Sequence, residues 1–403
     1  MNIDRGIINN PRKLLFLFEL AALALLITYK KDKLDAYSFA AGLFFILIVY
    51  IANYILLKVT DGDQYLLLIA TMLVSIGVVM IFRIDIFLGA KQLVWLSLGI
   101  LLYYISYFFV KTFKDWDRLM YFYIGFSYVL FALTFFLGER KFGAINWIEI
   151  RGVSIQPAEI TKVLLIFILA SYYSKERDEG DKKSLLYLTA MEYSFLAILF
   201  LQRDLGMALI FFVIIFSVHY IFEPNRRLVK LKLLFSMGLG LFGYMMFDHV
   251  KIRFTTWLNP WDYINDKGYQ ITQSLFAIAE GGLFGKGLGL GHPYYIPLSY
   301  NDFIFSSICE EMGIFTGIGI IMLFMLLLYR GFKIGLNQTD DFYKILALGI
   351  SVLLGIQSFV IIGGVTKLIP LTGINLPFVS YGGSSLITSF IALGILQAIS
   401  EEM

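Results

Sequence analysis

Asp302 follows Pro297-Leu298-Ser299-Tyr300-Asn301 and precedes the apolar Phe303-Ile304-Phe305, so it stands where a polar loop meets an apolar run. A carboxylate in a partly apolar, partly wet cleft has its pKa raised toward a general-base value. A helix N-cap is the alternative reading. Glu310 and Glu311 follow about two helical turns later, and at least one must face a bundle interior or a wet cavity. Glu159 and Lys162 lie three apart on one helix face. They form either a self-neutralising pair or a polar wall for an anionic head group. Glu192 lies inside another apolar run, as an interhelical hydrogen-bonded contact. In Gln202-Arg203-Asp204-Leu205-Gly206 a helix begins, and a capping role is sufficient for Asp204. Gly281-Gly282-x-x-Gly285-Lys286-Gly287-x-Gly289 lacks the Ser/Thr of a phosphate-binding loop. It reads first as a flexible turn at the membrane surface, and second as a phosphate contact through Lys286 or backbone N–H groups. His219, His249 and His292 have no metal-site spacing, and the lone Cys309 excludes an internal disulfide and a cysteine metal cluster.

These groups sit in a chain that is 59% hydrophobic and 16% charged over 403 residues, with a net charge of +3. That composition excludes an ordinary soluble enzyme, a disordered chain and a coiled coil, and nothing in it points to nucleic acid. Crossing a bilayer takes about 20 apolar residues. Twelve runs qualify, at roughly 13–29, 38–57, 64–83, 92–110, 120–137, 158–174, 185–201, 205–222, 231–248, 311–330, 343–363 and 379–399. They are unbroken rather than alternating, so the fold class is an all-α polytopic membrane protein, not a barrel. Lys and Arg are densest at 175–183 and 226–232, which favours both termini on the cytoplasmic side. On that topology Asp302 is extracytoplasmic, within one large loop of about 249–309. Loops 138–156 and 364–378 face the same side.

With these residues in view, the stretch from about Asp63 to Ser400 resembles the SEDS family (shape, elongation, division and sporulation), that of RodA, FtsW and SpoVE. Ser154-Ile155-Gln156-Pro157-Ala158-Glu159-x-x-Lys162 is similar to its Gln-Pro-Ser-Glu-x-x-Lys segment, and Asp204-Leu205-Gly206 to its Pro-Asp-Leu-Gly turn. Asn259-Pro260-Trp261, Gly268-Tyr269-Gln270 and Gln273-Ser274 are similar to the start of its large loop. Asp302-Phe303-Ile304-Phe305, with Glu310-Glu311-x-Gly313, is similar to the loop's end. Pro370-x-Thr372-Gly373-x-x-Leu376-Pro377-x-x-Ser380-Tyr381-Gly382-Gly383-Ser384-Ser385 is similar to its most diagnostic motif.

The resemblance implies a ten-helix core over 63–403, preceded by a tail and an added two-helix hairpin over 1–62. It implies polymerisation of lipid II into glycan strands at the outer face of the bacterial cytoplasmic membrane, with release of undecaprenyl pyrophosphate and with Asp302 as the catalytic base. Substrate-binding positions carried over or read beside it are Gln156, Glu159, Lys162, Asp204, Arg253, Lys286, Glu311, Ser380, Tyr381 and Ser384. A divalent cation (Mg²⁺ or Mn²⁺) and a single-span class B penicillin-binding transpeptidase are the implied cofactor and partner. The chain departs from the family pattern at Ile145 and Asn146, where two arginines are usual, and at Tyr294 and Tyr300. Lys251, Arg253, Lys267, Lys286 and Arg151 are the cations left to meet a head group. A lipid carrier is the rival reading, with a non-catalytic scaffold for the transpeptidase as a third. A carrier's essential charges lie near the bilayer midplane, whereas the residues singled out here gather at one face.

Overall fold

Each of the twelve apolar runs is a helix. The computed structural model describes residues 5–29, 36–141, 144–150, 152–175 and 182–401. Among them, nine helices are long and apolar enough to cross a membrane. Phe122, Phe136, Leu234 and Met245 are turned outward from the bundle. A belt of exposed aromatic and aliphatic side chains around a core holding Gln92, Lys162 and Gln357 has lipid as its natural solvent.

Helices α1 (Arg5–Tyr29) and α2 (Ala36–Val59) pair with each other and against α3 (Tyr65–Ile84). Two buried polar contacts fix that docking. Ser75 Oγ donates to Glu19 at 2.6 Å, and Asn53 Nδ2 donates to Thr71 Oγ1 at 3.2 Å. Away from water such contacts are costly to leave unmade, which sets the rotation of the apolar helices. Helix α4 (Ile86–Thr112) starts at Asp85, whose carboxylate caps the N–H groups of Phe87 and Leu88. It packs along α14 (Gly383–Ile399). Helix α5 (Met120–Leu137) leads into an antiparallel sheet of β1 (Gly138–Lys141), β2 (Ala144–Ile150) and β3 (Val153–Ile155), in that order. This sheet was not expected in the loop 138–156.

Next come α6 (Pro157–Tyr173), α7 (Lys182–Leu201), α8 (Leu205–Phe222) and α9 (Arg226–Met246). Glu192 on α7 accepts from Lys232 on α9 at 2.8 Å and lies 2.6 Å from His219 Nε2 on α8. It is thus the interhelical contact its position implied, and His219 is its structural partner. Phe247 links α9 to α10 (Asp248–Leu258), which lies in the large loop with α11 (Tyr269–Gly281).

That loop closes at Phe303, because α12 spans Ile304–Asn337. The expected loop boundary at 309 falls inside the first, short part of α12, before its break at Gly313, and the expected run 311–330 largely overlaps the part beyond the break. Two adjacent glutamates argue against helix in lipid, yet Glu310 and Glu311 are 2% and 1% exposed and both are engaged. Helix α12 breaks at Gly313, whose φ of 84° suits glycine. The polar groups freed there are taken up by the glycine-rich segment. Lys286 N and Gly287 N donate to the carbonyls of Glu310 and Glu311, and Ile314 N and Phe315 N donate to those of Gly282 and Leu283. The segment expected as a flexible turn is pinned along its length. Helix α13 (Asp341–Val365) completes the core beside α6, α8 and α12.

Candidate active site

Asp302 is not a helix cap. The N-cap of α12 is Phe303, with no side-chain cap bond. The turn holding Asp302 is fixed from the loop 366–382: Ser380 Oγ donates to Asn301 O at 2.8 Å, and Tyr381 N donates to Tyr300 O at 2.9 Å. The Tyr300 and Tyr381 rings meet edge to face at 5.8 Å. Ser380 Oγ also accepts from Leu376 N, so it joins both strands of the turn.

The cation facing Asp302 is Arg253. Its Nη1 donates to Thr372 O at 2.8 Å. Gly373, the next residue, has a φ of 74°, and a Cβ built there would lie 3.4 Å from Arg253 Nη2 and 3.5 Å from Asp302 Oδ2. The absent side chain thus leaves a cleft bounded by one acid and one guanidinium. Burial raises the Asp302 carboxyl to about 6, with Arg253 acting in the opposite direction. Burial likewise lowers the Arg253 guanidinium, while Asp302 and Asp204 act to raise it. An acid tuned near neutrality beside a fixed cation can accept a proton from a hydroxyl while the cation meets an anionic group. Alanine at 373 would place a methyl group in the cleft on left-handed backbone. A fall in turnover on the order of 10–100-fold is expected for Gly373→Ala, and kcat at saturating substrate checks it.

Asp204 caps α8 through Met207 N at 3.0 Å. Its other oxygen accepts from Asn146 at 2.5 Å and from Gln156 at 2.9 Å. With Ile145 N on Gln202 O, these bonds tie the small sheet to the start of α8. Glu159 and Lys162 pair at 2.5 Å, and each has a second partner. Thr388 donates to Glu159 at 2.9 Å, and Lys162 donates to Gln357 Oε1 at 2.8 Å. Gln357 Nε2 in turn donates to Asn375 O at 3.0 Å, in the same loop as Thr372 and Gly373. The pair neutralises itself and braces the loop under the cleft.

Glu311 pairs with Arg83 at 3.1 Å and accepts from Gly289 N. Lys286 pairs with Glu280 and lies 3.4 Å from Glu310. Ser384 Oγ is buried with no partner among the described residues. Of the cations left open by the sequence, Arg253 is the one at Asp302, and Arg151 lies outside the described residues. Sequence reasoning missed Arg83, Thr372 and Gly373 as site-builders. The glycine within the Thr372-Gly373 motif was the available signal for a position requiring left-handed backbone.

Among the described residues no group of three or more His, Cys, Asp or Glu side chains is arranged to hold a metal ion. At Asp302 one carboxylate faces a guanidinium, a donor set that does not fit a protein-held divalent cation.

Residues 63–403 match the sequence profile described as "Cell cycle protein", which covers FtsW, RodA and SpoVE. The chain is 36% identical over 368 residues to "Peptidoglycan glycosyltransferase RodA" of Mycobacterium tuberculosis, covering 84% of this chain and 78% of that protein. It is 33% identical over 366 residues to "Stage V sporulation protein E" of Bacillus subtilis, covering 85% and 98%. A solved chain from "Structural coordination of polymerization and crosslinking by a peptidoglycan synthase complex" superposes with a TM-score of 0.72 at 26% identity, covering 84% and 98%. "Rod shape determining protein RodA" of Thermus thermophilus gives 0.63 at 27% identity, covering 85% and 98%.

Proposed function

The chain belongs to the family of FtsW, RodA and SpoVE, and on that premise we propose how its residues carry out the work of a multi-pass membrane peptidoglycan glycosyltransferase. The acceptor's sugar hydroxyl enters the cleft over Gly373. Asp302, as carboxylate, takes its proton while the oxygen attacks the anomeric carbon of a lipid-linked disaccharide donor. The carbon–oxygen bond to the lipid diphosphate breaks in the same step, and the electron pair leaves with the diphosphate. A single displacement inverts the anomeric centre, and no covalent enzyme intermediate forms. Arg253 offsets the charge gathering on the leaving diphosphate. The observation that carries this reading is the half-buried Asp302 and Arg253 facing each other across the exposed Gly373, with the acid raised to about 6.

The donor is lipid II, and the site faces away from the cytoplasm. The basic segment Arg226–Lys232 opens α9, and the far end of α9 passes through Phe247 into α10, which carries Arg253. Basic residues favour the cytoplasmic side, which supports an outward Asp302 and cytoplasmic termini. A transpeptidase that crosslinks the product is the fitting partner, because a solved chain of this fold comes from a complex that coordinates polymerisation with crosslinking. Co-purification and stimulation of polymerisation test that pairing.

The reaction itself is tested with purified protein in liposomes containing lipid II. Glycan strands form if the reading is right. Movement of lipid II between leaflets without glycan product identifies a carrier instead. The carboxylate is the working form, so kcat/KM should rise about tenfold per pH unit up to about 6 and level off above it. Initial rates between about pH 5 and 8 check this; a rate that is flat through that range, or falls as pH rises, rejects Asp302 as base.

A further inference from the structure

Arg203 stands at the turn between α7 and α8 with a φ of 61°. Left-handed backbone at a long side chain costs energy and persists where its surroundings fix it. The turn is fixed on both sides of it. Gln202 N, Arg203 N and Asp204 N donate to Ile198, Phe200 and Leu199 carbonyls, and Asp204 is held by Asn146 and Gln156. This backbone sends the exposed Arg203 guanidinium over the face of Phe247, 5.8 Å from its centroid. Phe247 stacks on His249 at 5.4 Å and 30°. Arg253 lies one turn beyond His249 on the same face of α10, and across Gly373 from it lies Asp302. The order is therefore Arg203, Phe247, His249, Arg253, Asp302, leading inward from the surface.

Among the described residues no carboxylate lies within ion-pair distance of either arginine. Burial first, then Arg253 and Arg203, lower the His249 pKa, with Asp248 acting the other way, which favours the neutral imidazole. Two guanidiniums on rigid supports, Arg203 with no carboxylate at ion-pair distance among the described residues and Arg253 facing Asp302 across Gly373 without a direct ion pair, suit a ligand with two anionic groups, and the planar fork suits phosphate.

We propose that Arg203, seated on Phe247, is the outer half of a diphosphate-binding site whose inner half is Arg253. The ligand is a diphosphate ester of a lipid, held so that its inner end reaches Asp302. The proposal rests on the glycosyltransferase reading and names how that site grips its donor. Arg203 is a binding residue and takes no part in proton transfer.

Arg203→Gly is the decisive variant. Glycine suits the left-handed turn, so the fold is kept or strengthened while the guanidinium is lost. Loss of one charge-assisted contact is expected to raise KM for lipid II about tenfold, with kcat within about twofold, and Arg203→Lys should recover part of it. A merely structural role predicts an Arg203→Gly enzyme with unchanged KM, and that result overturns the proposal. Arg226→Ala is the charge control, because Arg226 also lies over an aromatic ring (Tyr220, 5.4 Å) but follows the opposite end of α8 from Arg203; its KM should match wild type.

Competition by farnesyl diphosphate and by inorganic pyrophosphate identifies the source of the anion. Both should inhibit less in Arg203→Gly, with the lipid-borne form the stronger inhibitor of wild type. Inhibition unchanged by the substitution overturns the site. Binding of labelled farnesyl diphosphate to Asp302→Asn, with and without Arg203→Gly, keeps the two ideas apart. An Arg203-dependent signal supports the diphosphate site even if Asp302→Asn turns out to be active, whereas its absence counts against the site alone.

Discussion

Asp302→Asn is expected to lower glycan polymerisation by about 10²–10⁴-fold, the range supplied by a positioned general base. The substitution is nearly isosteric. It leaves the Ser380–Asn301 and Tyr381–Tyr300 bonds that hold the turn, and the Arg253–Thr372 bond beside it. What it removes is the ability to accept a proton. The same substitution should leave stability unchanged or raise it. Burial pushes the Asp302 carboxyl up to about 6, which means that the folded protein disfavours the charged form. A neutral amide escapes that penalty. Loss of activity with retained or higher thermal stability is the pattern of a group kept for function at some cost to the fold. Radiolabelled lipid II, with products resolved on a gel, measures the first quantity, and the thermal midpoint in detergent the second. Polymerisation within a few-fold of wild type would remove Asp302 from the mechanism.

Lys162→Met is expected to destabilise the protein by about 3–5 kcal/mol, the usual result of leaving one charge of a buried pair without its partner. The Lys162 side chain is 2% exposed and that of Glu159 is 3% exposed. The loss also strands Gln357 Oε1, and Gln357 holds the Asn375 carbonyl of the loop that carries Thr372 and Gly373. Activity should therefore fall along with stability, unlike the result at Asp302. The double variant Glu159→Gln, Lys162→Met removes both charges and should recover much of the loss, since replacing a whole buried pair is far less costly than breaking one. Thermal midpoints for the two singles and the double form a cycle. A double variant no more stable than Lys162→Met would show that the pair's mutual charge is not what matters there.

Much of this architecture was legible from the chain. Spans such as 64–83 and 343–363 coincide closely with α3 and α13, because an unbroken apolar run of that length has few options other than a helix in lipid. Where charge interrupts the run, the reading lagged. Glu310 and Glu311 lie in the short part of α12 that begins at Ile304 and precedes the break at Gly313, and Arg83, Gly289, His292 and Lys286 satisfy both acids. Those partners come from α3, the glycine-rich segment and the residues just after it, and no local pattern announces them.

The sequence by itself determined the membrane class, the twelve helical runs, the position of Asp302 at the mouth of a span and the family resemblance. Hydropathy, helix length and motif spacing are properties of neighbouring residues, so they survive without a fold. Only the tertiary structure decided that Arg253, rather than Lys251, Lys267 or Lys286, faces the acid, that Gly373 opens the cleft between them, and that Glu159 and Lys162 brace the loop below. Those contacts join residues from about 18 to more than 200 positions apart. Which of many chemically suitable cations meets a given carboxylate depends on how the helices rotate and cross, and on backbone angles at single turns, which residue identity alone leaves open.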